Sequence, residues 1–416
     1  MSIPRYPAFD QSLALLRDGY CFGLRRFEEL QTDAFHTRLL LRKATFVRGR
    51  EAAEVFYEPD RFTRRDAMPP TTLRLLQDKG SVQTLDGEAH RRRKELFLSL
   101  MRPGCFDTLG EIFEATWERQ QKRWEEASEV VLHPAFQELL CRTACLWSGI
   151  PLPEEAVARR TGELDAMIHG AGSIGPRNWR GLLLRQRTER WGRALIEAVR
   201  AEALQPPDGS PLAVLASHRD AGGDLLSPKI AAVELLNILR PIVAVARYLT
   251  FVALARHEHA RAKAWLEEDA NDPRLTAFAQ EVRRLYPFFP LIAGRVREPF
   301  EWRGEWFAED AWMILDLYGT HHDAGLWEEP EAFRPERFAH GEADPFALIA
   351  QGGGEHARTH RCPGEWITLD LMKRAARRLS HEMRYEVPAQ DLTVDLGKMP
   401  ALPRSGFRVT AVGPGP

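Results

Sequence analysis

Cysteine is scarce in this chain: five in 416 residues, an odd number without framework spacing. That excludes a disulfide-stapled scaffold and any site built from four clustered thiolates, and it suits a reducing compartment. Cys141 and Cys145 sit one helical turn apart, which reads as core packing. Net charge is nearly absent at −2, so nothing points to nucleic acid or an anionic membrane as a partner. Residues 1–7 lack the apolar run of a signal peptide or anchor. The longest apolar stretch, 230–255, contains Glu234, Asn237, Arg240, Pro241 and Arg247, too many polar groups for a membrane span. Repeats, low-complexity tracts and dividing linkers are also missing. These absences predict a cytoplasmic protein with no membrane anchor and no nucleic-acid partner.

What is present is a core-forming composition, 44% hydrophobic and 28% charged, with helical periodicity over most of the length. The spacing predicts helices over 7–17, 88–101, 105–127, 130–149, 154–168, 179–203, 227–255, 259–268, 273–286 and 365–383. Short strand signals cover 39–46, 293–297, 300–303, 305–307, 311–317, 385–387 and 407–412. The fold class is mainly α with a small β lobe. Late strands returning to early ones make residues 1–416 a single domain whose small lobe is discontinuous in sequence.

The chemistry concentrates near the C-terminus. His360-Arg361-Cys362-Pro363 follows the glycine run 352–354 and precedes a helical pattern. A cysteine there meets free backbone N–H groups and the positive end of a helix dipole, which favour the thiolate. With no second cysteine nearby it can serve as the single axial ligand of a haem iron. An ordinary buried cysteine is the competing reading.

Upstream, Glu281 and Arg284 are spaced i, i+3 on one helix face, and Arg337 follows in Pro335-Glu336-Arg337-Phe338. Such a pair at a surface contributes little. Two arginines converging on one carboxylate would instead form a buried clamp that fixes the loop before the cysteine.

With these three motifs in this order, the chain resembles the cytochrome P-450 superfamily of haem-thiolate enzymes. The resemblance implies the P-450 fold, haem b as cofactor with Cys362 as iron ligand, and Glu281, Arg284 and Arg337 as a structural clamp.

One departure from the superfamily pattern is informative. Members fed by NAD(P)H usually carry an acid–threonine pair in the central helix, whereas this chain reads Leu239-Arg240-Pro241-Ile242-Val243-Ala244. Pro241 has no N–H, so the carbonyl of Asn237 loses its helical partner and the helix is expected to bend or open. Arg240 is a permanent cation in an apolar stretch and needs an anion, either an internal carboxylate, the favoured case, or a bound ligand.

Arginine followed by proline is similar to the fatty-acid peroxygenase branch. That resemblance implies a fatty acid whose carboxylate pairs with Arg240, hydrogen peroxide as co-substrate, and no redox partner. It makes Arg240, Pro241 and Gln83 catalytic candidates. The stretch 82–89 also matches the branch, so Gln83 would lie near the substrate, and His90 and Lys94, with Arg64, would hold haem propionates. Without that match His90 and Lys94 read as a solvated basic helix start. Relatives that decarboxylate fatty acids to terminal alkenes tend to have histidine at the position of Gln83. A neutral amide cannot donate a proton as an imidazolium can, so hydroxylation at the α or β carbon is expected, with decarboxylation as a side reaction. Gln77-Asp78 stands where the branch has an aromatic residue. Phe288, Phe289 and Leu402 are candidates to line an alkyl pocket, although aromatic clusters more often belong to a plain core.

The alternatives are an NAD(P)H-driven haem-thiolate monooxygenase with separate redox partners, a non-catalytic haem-thiolate sensor, and a purely structural helical protein.

Overall fold

The computed structural model describes residues 2–77, 80–220, 222–269, 271–339, 341 and 343–415. Asp78, in the predicted pocket floor, therefore lies outside the described residues.

The molecule is mainly helical, with a small β lobe in a single domain. Its axis is an apolar run that begins where Ser227 caps the chain, accepting a hydrogen bond from the Ile230 N–H at 3.3 Å, with Pro228 in the first turn. Two helices follow end to end, Pro228–Ala244 and Ala246–Glu258. This run is long and apolar enough to cross a membrane, but 94% of its apolar window is buried inside the protein. It is the core helix that the surrounding helices cover. The helix runs on through Pro241 to Ala244, and the interruption comes one turn later, at Val245. That N–H is shared between the carbonyls of Pro241 (3.2 Å) and Ile242 (3.1 Å).

The larger sheet has five strands in the order Ala34–Leu39, Arg42–Val47, Trp312–Asp316, Leu291–Val296, Phe62–Thr63. All neighbours are antiparallel except Arg42–Val47 against Trp312–Asp316. Strands from distant parts of the chain thus meet in one sheet. The final strand, Arg408–Pro414, does not join it. It pairs with Val130–Val131 and Met383–Glu386 in a separate three-stranded sheet.

Several boundaries differ from the sequence reading. The strand expected over 39–46 spans a hairpin turn, because Leu40 and Leu41 both take positive φ (50° and 63°) between two paired strands. The helix expected over 130–149 starts as a two-residue strand and becomes helical at Leu132. The helix expected over 365–383 ends at Arg377 and widens into a π-turn, Arg378–Glu382. The first helix is Ser12–Asp18, without the expected first residues. Short helices Cys21–Leu30, Arg50–Phe56, Pro70–Leu76 and Pro211–Ser217 had no sequence counterpart.

Candidate active site

Every residue from Ala231 to Ala255 is buried except one, Pro241. Its neighbours are enclosed in the core, so the open space it faces lies inside the fold, halfway along the axis.

Arg240 sits beside that opening and is 4% exposed. Its guanidinium donates to the carbonyls of Leu75 (3.0 Å) and Leu76 (2.5 Å) and to Asn237 Oδ1 (3.0 Å). These acceptors are neutral, and among the described residues no carboxylate pairs with it. Among the described residues, then, the internal anion favoured by the sequence reading is not found: the buried acid Glu234, on the same helix, is engaged by Arg93 at 2.7 Å. Burial first, and the like charge of Arg185 second, push Arg240 down to about 9. An incoming carboxylate would relieve both.

A polar stripe that the sequence reading passed over organises this region. Glu234, Asn237 and Arg240 recur every three residues and share a helix face. Asn237 Nδ2 donates to Glu234 (2.9 Å) and to Gln83 Oε1 (3.3 Å), while its Oδ1 accepts from Arg240. Glu234 also accepts from the Val82 N–H at 2.9 Å. The 3₁₀ turn Val82–Thr84, which carries Gln83, is thus bonded to the axis beside Arg240. Burial raises the Glu234 carboxyl, opposed by Arg93. The signal was present in the sequence, as polar residues at helical spacing in an apolar run.

The cysteine loop is held by its own hydrogen bonds. Cys362 N–H donates to Gln351 O at 2.8 Å, and Gln351 Nε2 stands 3.9 Å from the sulfur. The helix Glu365–Arg377 begins three residues later. Contrary to the expected acidic thiol, burial pushes the Cys362 thiol up, against the lowering effect of the Gly364 N–H.

Arg64, His90 and Lys94 are 3%, 5% and 2% exposed, and among the described residues none pairs with an acid. Among the described residues the Nε and Nη1 atoms of Arg64 have no hydrogen-bond partner. Burial brings Arg64 down to about 10. Burial, then Lys94 and Arg64, hold His90 down to about 4, and burial brings Lys94 down to about 8. The His90 and His360 rings lie 4.1 Å apart. Lys94 Nζ donates to the carbonyls of Thr359 (2.7 Å) and Arg361, so it also tethers the cysteine loop. Three buried bases without an acid among the described residues, one of them with unpartnered donors and one tethering the cysteine loop, fit a haem with its two propionates.

The clamp is built asymmetrically. Glu281 and Arg284 are fully buried and form a bidentate pair at 2.7 and 2.8 Å. Arg284 extends to the carbonyls of His321, Pro330 and Ala332. Arg337 approaches Glu281 only to 3.5 Å, whereas the Arg334 backbone N–H donates to it at 2.7 Å. A second buried cluster lies directly under the cysteine loop: Glu365 accepts from Arg283 and Arg361, each at 2.5 Å, and meets His356 at 3.0 Å. Burial raises that carboxyl, but the three bases outweigh it and hold it well below the usual carboxylate range.

Of the alkyl-pocket candidates, Phe288 stacks on Tyr248 at 4.3 Å, two turns along the helix from Pro241. Phe289 is 44% exposed and Leu402 packs against the main core. The Phe288 and Phe289 rings lie 4.9 Å apart, and Phe288 packs against the same core as Leu402.

The profile of the cytochrome P-450 family matches residues 266–392. Cytochrome P-450SP alpha (CYP152B1) superposes with a TM-score of 0.94 at 45% identity, covering 97% of this chain and 99% of that one. Cytochrome P-450EX alpha (CYP152N1), solved with myristic acid, gives 0.95 at 40% identity over all of both chains. A variant of cytochrome P-450 OleT in complex with arachidonic acid gives 0.95 at 32% identity, over 100% of this chain and 99% of that one. Among curated proteins, cytochrome P450 120 of Synechocystis sp. is 25% identical, over 97% of this chain and 94% of its own length. The chain belongs to the cytochrome P-450 family, alongside the CYP152 proteins it matches from end to end.

Proposed function

We propose that this protein is a fatty-acid peroxygenase. It hydroxylates long-chain fatty acids at the α or β carbon with hydrogen peroxide: one peroxide oxygen enters a C–H bond and the other leaves as water. Decarboxylation to a terminal alkene is the side reaction.

The observation that carries this reading is Arg240, a buried guanidinium whose partners among the described residues are all neutral, next to Pro241, the one exposed position between Ala231 and Ala255. A substrate carboxylate would complete its coordination through the guanidinium fork and so fix the α and β carbons close to Pro241. Haem-thiolate iron, held by Cys362 with Arg64, His90 and Lys94 at the propionates, supplies the oxidising chemistry when bound. The carboxylate on Arg240 accepts a proton from one peroxide oxygen and returns it to the departing one. Gln83, oriented by Asn237, borders this space as a neutral amide.

The central helix favours this over an electron-fed monooxygenase. Its sole threonine, Thr250, is fully buried and bonded to Ala246 O (2.7 Å) and His133 Nδ1 (3.2 Å). It has no free hydroxyl for proton delivery. Two of the superposing structures hold a fatty acid, which agrees with the substrate class.

The test is a reductase-free assay of haem-loaded protein with a long-chain fatty acid and hydrogen peroxide, with products read by mass spectrometry. A hydroxy acid or terminal alkene is the expected result. Intact haem-thiolate spectra without product would overturn the proposal.

A further inference from the structure

Helix Pro176–Arg200 presents two different faces. Asn178, Gly181, Arg185, Thr188 and Gly192 are buried against the protein. On the outside, Trp179 and Leu183 stand one turn apart, 66% and 65% exposed, and Ile174 in the preceding turn is 65% exposed. Large apolar groups this exposed and this close together are unusual on a soluble surface.

Their rim is basic. From Pro176 to Arg193 the chain carries Arg177, Arg180, Arg185, Arg187, Arg190 and Arg193, against Glu189 alone. Arg177, Arg180, Arg187 and Arg190 are exposed. Among the described residues, Arg177 and Arg180 pair with no acid, and Arg187 reaches only Glu163, at 3.8 Å. The overall charge of −2 conceals this local excess.

We propose that this face docks on a bilayer of anionic phospholipid. Ile174, Trp179 and Leu183 enter the headgroup–acyl boundary while the surrounding arginines meet lipid phosphates. A second copy of the chain fits less well, because a twofold contact through this face would set the arginine rows against each other. The sequence reading, made from net charge, had given no reason to expect an anionic membrane.

The same segment lies over the elements that hold Arg240. A methyl group added at Gly181 would approach Leu75 Cδ1 to 3.3 Å, and Thr72 Oγ1 donates to Ala171 O at 2.8 Å. Arg185, on the inner face, donates to Leu75 O at 2.9 Å, the carbonyl that Arg240 also uses. Docking here puts the lipid phase on the far side of helix Pro176–Arg200 from the helix Pro70–Leu76, whose carbonyls hold Arg240. Docking itself does not depend on the peroxygenase reading.

The experiment is co-sedimentation of the haem-loaded protein with vesicles of phosphatidylcholine, with and without phosphatidylglycerol. Two double variants are compared, Trp179→Ser with Leu183→Ser and Arg177→Gln with Arg180→Gln. Circular dichroism melts first establish that both are folded. The wild-type protein is expected to bind the phosphatidylglycerol vesicles, and added salt to weaken that binding. Loss of the two arginines is expected to reduce affinity about thirtyfold, and the serine variant should lose comparably. No binding, equal binding to phosphatidylcholine alone, or undiminished binding by either variant would overturn the proposal. So would sedimentation-velocity evidence that the face is covered by a second copy.

Discussion

Arg240 and Arg185 donate to the same oxygen, the carbonyl of Leu75, at 3.0 and 2.9 Å. Two buried guanidiniums are thereby drawn together, and the charge of Arg185 lowers the proton affinity of Arg240. Arg185 has Glu189 at 2.6 Å to balance it, whereas Arg240 has only neutral acceptors among the described residues. The unbalanced member of the pair is the one beside the opening at Pro241. Replacing Arg240 by alanine is expected to lower kcat/KM for peroxide-driven fatty-acid oxidation by about a hundredfold or more, the loss of a charge-assisted bidentate contact and of its positioning. Haem incorporation, read from the Soret band, should be unchanged. Short carboxylic acids should not restore activity, since they need the same arginine. A lysine variant should recover only part, because an ammonium lacks the fork. Activity retained in the alanine variant would sink the substrate-assisted mechanism.

How far the sequence reading reached depends on how local each feature is. Glu281 and Arg284 share a helix face, so their pairing follows from spacing alone, and the structure makes them bidentate. The Glu365 cluster was not readable, because Arg283 and Glu365 are 82 residues apart and no periodicity links them. The hairpin turn at Leu40 and Leu41 escaped for the opposite reason. Two leucines at positive φ carry no glycine or asparagine signal, so an apolar run reads straight across the turn. Asn237 was visible but weighed only against a membrane span. Its role appears once the turn Val82–Thr84 is folded against it.

The asymmetric clamp makes a comparison possible. Removing Arg284 takes the bidentate partner from the fully buried Glu281 and frees the carbonyls of His321, Pro330 and Ala332. Such a loss costs about 3–5 kcal/mol. Arg337 contributes a longer contact, so Arg337→Ala should cost clearly less. Urea unfolding of the two variants measures the difference; equal losses would contradict the asymmetry.

Acid should destabilise the fold through His133. Burial first, then Arg247, bring its imidazole down to about 3, and its Nε2 has no hydrogen-bond partner among the described residues. Because the folded value lies below the unfolded value of 6.5, the unfolded chain takes up the proton first as pH falls. Stability from this group is therefore fully present above about pH 6.5 and is lost progressively on the way down to about pH 3. Between pH 7 and 5 the contribution of His133 amounts to about 2 kcal/mol. His133→Gln should flatten the pH dependence of the urea midpoint over that window. A slope identical to the wild type would show that the imidazole is not held neutral.

Gln83 offers control over the product. Its Oε1 accepts from Asn237 at 3.3 Å, so the side chain is held beside the turn that carries Arg240 and Pro241. As an amide it stays neutral across the working pH range and cannot deliver a proton. An imidazole in its place could, and the carboxylate anchored on Arg240 would then face a protonated neighbour during the oxidation. The Gln83→His variant is therefore expected to shift product from hydroxy acid toward terminal alkene and carbon dioxide, with substrate affinity changed little because Arg240 is untouched. Gas chromatography of the hydrocarbon against the hydroxy acid reads the ratio directly. An unchanged ratio, with the fatty-acid-induced spectral shift intact, would mean that the residue at this position borders the site without taking part in choosing the product.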